Sequence, residues 1–167
     1  MDDSIDRKHT LRDFFGEAIH TSLTDTLGMR DVDHVEQYLA GLLLDFSHRD
    51  KVFAIRDPLG QQVEDLEAML AEGDVTQNAD SFAREREVHK HIGDFLLFWS
   101  GVYPEFLGRF HRSPHALQQQ GAESYHIVST FDFEPYAGDA PLFKRLSEDF
   151  EMFRIGLNIV RKRLPLG

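Results

Sequence analysis

The residues best suited to chemistry in this chain are two Glu-x-x-His pairs, Glu17 with His20 and Glu123 with His126. A spacing of three puts carboxylate and imidazole on one face of a helix. Two such pairs, with a carboxylate from each of two further helices, make up the ligand set of ferritin-like di-iron bundles. Glu36, Glu87, Asp94 and Glu105 are the carboxylates available for that role. A second cluster, Glu85, Glu87, His89 and His91, sets two acid–imidazole pairs four residues apart on adjacent faces of one helix. Such pairs bind divalent metal or raise the histidine pKa; on an ordinary helix surface they contribute only about a few tenths of a kcal/mol.

These residues define a candidate metal set of Glu17, His20, Glu36, Glu87, His91, Glu123 and His126, with iron or zinc as the ion. Chance must be weighed against it. Twelve glutamates and nine histidines placed at random in 167 residues yield roughly 0.65 Glu-x-x-His pairs, so two occurrences do not establish the motif. Each pair also brackets the apolar stripe of its helix (Ala18 and Ile19 in one, Tyr125 in the other), where solvent-facing residues belong.

Other catalytic signatures are missing. The chain has no Gly-rich phosphate loop, no Gly-x-Ser-x-Gly elbow and no His-Glu-x-x-His helix. The absence of cysteine removes disulfides, thiolate metal sites, iron–sulfur clusters and cysteine nucleophiles, and it fits a reducing compartment. No residue is nominated as catalytic or as binding an organic cofactor, and a non-enzymatic role is favoured.

The elements that must position these groups are helices. Leu11, Phe14, Phe15, Ala18, Ile19, Leu23 and Leu27 follow three-and-four spacing, predicting a first helix from Thr10 that ends at Gly28. Residues 1–9 are expected to fray. Asp33 and Glu36 read as a capping box for a second helix carrying Val35, Leu39, Leu42, Leu43 and Phe46. A short strand or a helical continuation at 51–55, a turn at 57–60 and a third helix from Gln61 to Glu72 follow. A long fourth helix, capped by Asn78 or Asp80, starts amphipathic and becomes apolar nearly all round near Phe95, until Pro104 breaks it. A fifth spans His115 to Phe131, and a sixth runs from Asp139 past Phe143, Phe150 and Phe153 to Leu164. The segment 132–141 reads as an exposed loop. The expected fold is therefore all-α, a single domain over 1–167, built as a bundle or array of about six helices.

Composition sets further bounds. Hydrophobic residues at 41%, fourteen of them phenylalanine, suffice for one core without staples. The N-terminal Met-Asp-Asp-Ser-Ile-Asp is acidic where a signal peptide is basic. The longest apolar run, Phe95 to Tyr103, is about half of a membrane span. A net charge of −11 repels phosphates, so nucleic acid is not an expected partner, and Arg161-Lys162-Arg163 reads as dipole complement at a helix C-terminus.

Tyr38-Leu39-x-x-Leu42-Leu43-x-x-Phe46, then Gly93-Asp94-Phe95-Leu96-Leu97-Phe98-x-x-Gly101-x-x-Pro104-Glu105-x-Leu107, then Gly121-x-x-x-Tyr125 carry a resemblance. Over roughly residues 35 to 130 the chain resembles an uncharacterised family of small helical proteins of Gram-negative bacteria. The resemblance implies a bacterial cytoplasmic helical protein and no particular activity. It concentrates on Gly93-Asp94 and Pro104-Glu105. A carboxylate beside so apolar a helix must cap a backbone, pair with a cation such as Arg109, or bind something.

Two functions follow as expectations. One is a non-catalytic interaction or regulatory module that binds a protein partner, or a second copy of itself, through an apolar patch with an acidic rim. The other is a metal-binding bundle, an oxidase or a metal carrier.

Overall fold

A computed structural model of the chain describes residues 3–48, 55, 64–74 and 81–163. Among them the fold is all-α, with seven α-helices and no strand. They are α1 (Asp3–His20), α2 (Asp33–Asp45), α3 (Leu66–Glu72), α4 (Phe82–Val102), α5 (Pro114–Ser129), α6 (Ala140–Glu148) and α7 (Phe150–Arg163). A π-helical turn, Thr21–Thr26, extends α1, and a 3₁₀ segment, Pro104–Arg109, follows α4.

The chain order follows from local chemistry. α1 begins earlier than Thr10, at Asp3. Its π-turn is closed by the Leu27 amide donating to the Ser22 carbonyl, and Gly28, at φ 68°, ends it where a side chain would be strained. The extra residue of that turn aims Ser22 at α7, where its hydroxyl donates to the Gly156 carbonyl at 2.7 Å. Ser81 caps α4 through the Arg84 amide, and Ser113 caps α5 through the Ala116 amide, with Pro114 in the first turn. Pro104 stops α4 as expected, because it cannot supply the amide a continuing helix needs.

α4 is the centre. Val88, Ile92, Phe95, Leu96 and Leu97 are all fully buried, and each contributes about 1.5–3 kcal/mol by leaving water. α5, α7 and α3 pack around α4; α6 covers α5, and α1 pairs with α2.

Further expectations change, and α3 begins at Leu66, capped by Asp65, rather than near Gln61. The Asp33–Glu36 capping box does not form: the N-cap is Val32 without a side-chain bond, and Glu36 turns to α1 instead. The last helix is two helices, broken at Asp149 (φ −110°, ψ 25°). Across the break, Phe143 on α6 and Phe150 on α7 both reach Tyr125, at ring separations of 5.9 and 6.0 Å. The cap of α4 is Ser81, while the expected Asn78 and Asp80, the turn at 57–60 and all but Ile55 of the strand candidate lie outside the described residues.

Candidate functional site

Asp94 stands on the buried face of α4, 6% exposed, among phenylalanines and leucines. A carboxylate there is costly unless hydrogen-bonded. Tyr38 from α2 donates to its Oδ1 at 2.6 Å and Tyr125 from α5 donates to the same oxygen at 2.7 Å. Lys90, one turn earlier on α4, reaches Oδ2 at 3.3 Å. Burial, then the Asp94 charge, holds both phenols well above their ordinary pKa, so they stay protonated donors. This network locks α2, α4 and α5 together.

Glu105 is exposed and bound by Arg161 of α7 through both nitrogens, at 2.9 and 3.2 Å. Its own backbone amide, then Arg161, hold its pKa below the usual carboxylate range. Arg109 stacks on Phe106 at 4.0 Å. Of the two carboxylates in the resemblance region, then, one is paired with a C-terminal arginine and the other with two tyrosines and a lysine.

The sequence-nominated ligands are distributed as follows. His20 and Glu36 meet: His20 Nδ1 lies 3.0 Å from Glu36 Oε2, and Thr24 donates to Glu36 Oε1 at 2.9 Å. The Glu36 bond, then its charge, raises the His20 pKa above the ordinary value. Glu17 is exposed on α1, and Glu123 and His126 are exposed on α5. Glu87, also exposed, lies 3.8 Å from Arg84. His91 is buried between the rings of Phe46 and Phe95, 6.0 Å from each. Among the described residues no three histidine or carboxylate side chains come together as a metal site. His89 turns inward rather than toward Glu85, with Nδ1 3.1 Å from the Ser124 hydroxyl, and burial lowers its pKa.

A surface feature joins Phe82, expected on the inward face of the fourth helix, to Phe131, expected at the end of the fifth, and to the segment 132–141 expected as a loop. Phe82 opens α4 and is 70% exposed, and Phe133, just beyond α5, is 54% exposed. With Phe131, Thr130 and Glu85 they line a hollow of about 390 Å³. Phe131, Phe133 and Tyr136 form a ring cluster with centroids 5.7 to 5.9 Å apart. Asp132 and Glu134, both exposed, alternate with these rings. Arg86 already rests on the Tyr136 face at 4.4 Å, with Asp139 at 3.9 Å. The sequence signal was the run Phe131-Asp-Phe-Glu-Pro-Tyr136, in which aromatic and acidic residues alternate without helical spacing.

Fold and site together define an all-α helical array whose exposed feature is an acidic-rimmed aromatic platform, with no helix among the described residues long and apolar enough to cross a membrane. No protein-family model, curated protein or solved structure matches this chain.

Proposed function

We propose that this protein is a non-catalytic interaction module of the bacterial cytoplasm that holds a basic partner protein on the Phe82–Phe133 platform. The observation that carries the reading is the pair of large phenyl rings left in water beside a hollow, at 70% and 54% exposure. Exposed aromatics gathered on one patch are the usual anchor of protein recognition. The rim of Glu85, Asp132 and Glu134 and the net charge of −11 select a basic partner and oppose the meeting of two copies through this face.

The test is photo-crosslinking from position 133 in cells, with exposed position 144 as the control. The expected product is one basic protein, crosslinked from 133 and not from 144. Reconstituted from purified components, its affinity should fall at least tenfold in Phe82→Ala. Crosslinking to a second copy, or equal products from both positions, removes the reading.

The His20–Glu36 contact is the single observation that favours the metal alternative, because it brings two of the nominated ligands within 3.0 Å. Elemental analysis after iron or zinc loading tests it: one or two ions per chain, lost in His20→Ala, would select that alternative over the interaction module.

A further inference from the structure

We infer that this chain meets a second copy of itself through the outer face of α1 and the end of α7, a surface that shares no residue with the Phe82–Phe133 platform.

α1 carries two stripes. Phe15, Ile19 and Leu23 are buried and tie it to the core. Leu11, Phe14, Ala18 and Thr21 form the other, at the alternating three-and-four spacing of a seam between two helices. Residues 10–14 are all exposed, with Leu11 at 39% and Phe14 at 49%. Helices draw most of their stability from packing an apolar face, so a second seam with a leucine and a phenyl ring in water is one that another helix completes.

Beside that seam lies a hollow of about 300 Å³, lined by Phe14, Glu17, Ala18 and Thr21 of α1 and by Val160 and Arg163 of α7. A cavity of ~150 Å³ accommodates benzene, so this one admits a phenyl ring. A twofold axis beside Ala18, with the two α1 helices antiparallel, sets Phe14 of each copy over Thr21 and into the hollow of the other. Ala18 and Thr21 are small enough to let the helices approach.

Charge makes the occupant a second copy. The rim of the hollow carries one acid, Glu17, and one base, Arg163, both exposed. Arg163 reaches the Thr26 hydroxyl at 3.2 Å, and among the described residues neither side chain is in an ion pair. A partner of a single sign is attracted by one of these groups and repelled by the other. A copy related by a twofold presents Arg163 to Glu17 and Glu17 to Arg163, so the face is complementary to itself. The net charge of −11 drives copies apart elsewhere, and a face with both signs balanced escapes that repulsion.

Sedimentation equilibrium of the full-length protein, over micromolar to millimolar concentrations, tests the inference. The expected result is a reversible monomer–dimer equilibrium whose dissociation constant rises at least tenfold in Phe14→Asp and is unchanged in Phe82→Ala. Glu17→Arg and Arg163→Glu should each weaken the dimer, because each puts like charges at both contacts. An equimolar mixture of these two variants should restore it, since the mixed pair regains opposite charges at both. Restoration on mixing also shows that the two variants are folded.

A monomer throughout the range overturns the inference, and so does a dimer that Phe14→Asp leaves intact. A mixture no tighter than either swapped variant alone overturns the pairing of Glu17 with Arg163, and with it the assignment of the face to a second copy. The platform is read separately, by crosslinking from position 133.

Discussion

The ring of Tyr125 lies against the backbone of Gly93, so close that a Cβ on that glycine would stand 2.6 Å from two ring carbons. This approach brings the Tyr125 hydroxyl to Asp94, the next residue along α4. The Gly93-Asp94 pair is therefore one device: the first residue makes room for the ring, and the second accepts the hydrogen bond of its hydroxyl.

Gly93→Ala tests the first half. The added methyl has to displace a ring held by Phe143 and Phe150, and stability should fall by about 1–3 kcal/mol although alanine is the better helix former. Urea unfolding measures it; a variant as stable as the parent would show that the ring moves aside freely.

The hydroxyls test the second half. Tyr38→Phe and Tyr125→Phe each remove one bond to a buried carboxylate and should cost about 1.5–3 kcal/mol apiece. Asp94→Ala should cost more than either, since it strands two buried phenol hydroxyls, while Asp94→Asn keeps an acceptor and should fall between. Guanidinium unfolding of the four variants gives the order, and a neutral Asp94→Ala would contradict it.

Two histidines should respond to pH with opposite sign. The His20 pKa is raised in the fold by Glu36, so its stabilisation is fully present below the unfolded value of about 6.5 and disappears as pH rises through the folded value. The advantage of the parent over His20→Gln in melting temperature should therefore be greatest near pH 6 and shrink by pH 8. The His89 pKa is lowered by burial, so the fold binds its proton less readily than the unfolded chain does. Relative to His89→Gln the parent should lose stability as pH drops below about 6.5. Melting curves across pH 5 to 8 check both signs.

Phe82→Ala and Phe133→Ala separate recognition from folding. Both rings are mostly in water, so each substitution should change stability by no more than about 0.5 kcal/mol. Partner affinity should nevertheless fall at least tenfold, the scale of an anchor residue. A large loss of melting temperature would show that the rings serve the fold.

The helices were legible because their apolar residues recur at three-and-four spacing, and Phe95, Leu96 and Phe153 are buried as that spacing requires. The break at Asp149 was not, because Leu146, Phe150 and Phe153 keep the same spacing across it. Glu36 has the local pattern of a capping residue, yet its partners are sixteen and twelve residues away, beyond any local rule. His89 and His91 looked like surface partners of glutamates; the packing of α5 and of Phe46 against α4 took both inside. The platform escaped notice because Phe131, Phe133 and Tyr136 converge through a turn, where neither helical nor strand periodicity applies.

The single oxygen shared by Tyr38 and Tyr125 has a consequence for folding. Phenylalanine and leucine faces are forgiving, and greasy helices can slide or roll past one another at small cost. Asp94 is not forgiving: rolling α4 by one residue would turn its carboxylate away from both phenols and into hydrocarbon. The three side chains thus act as a key that fits one rotational setting of three helices, and near-miss assemblies of the same apolar surfaces are refused.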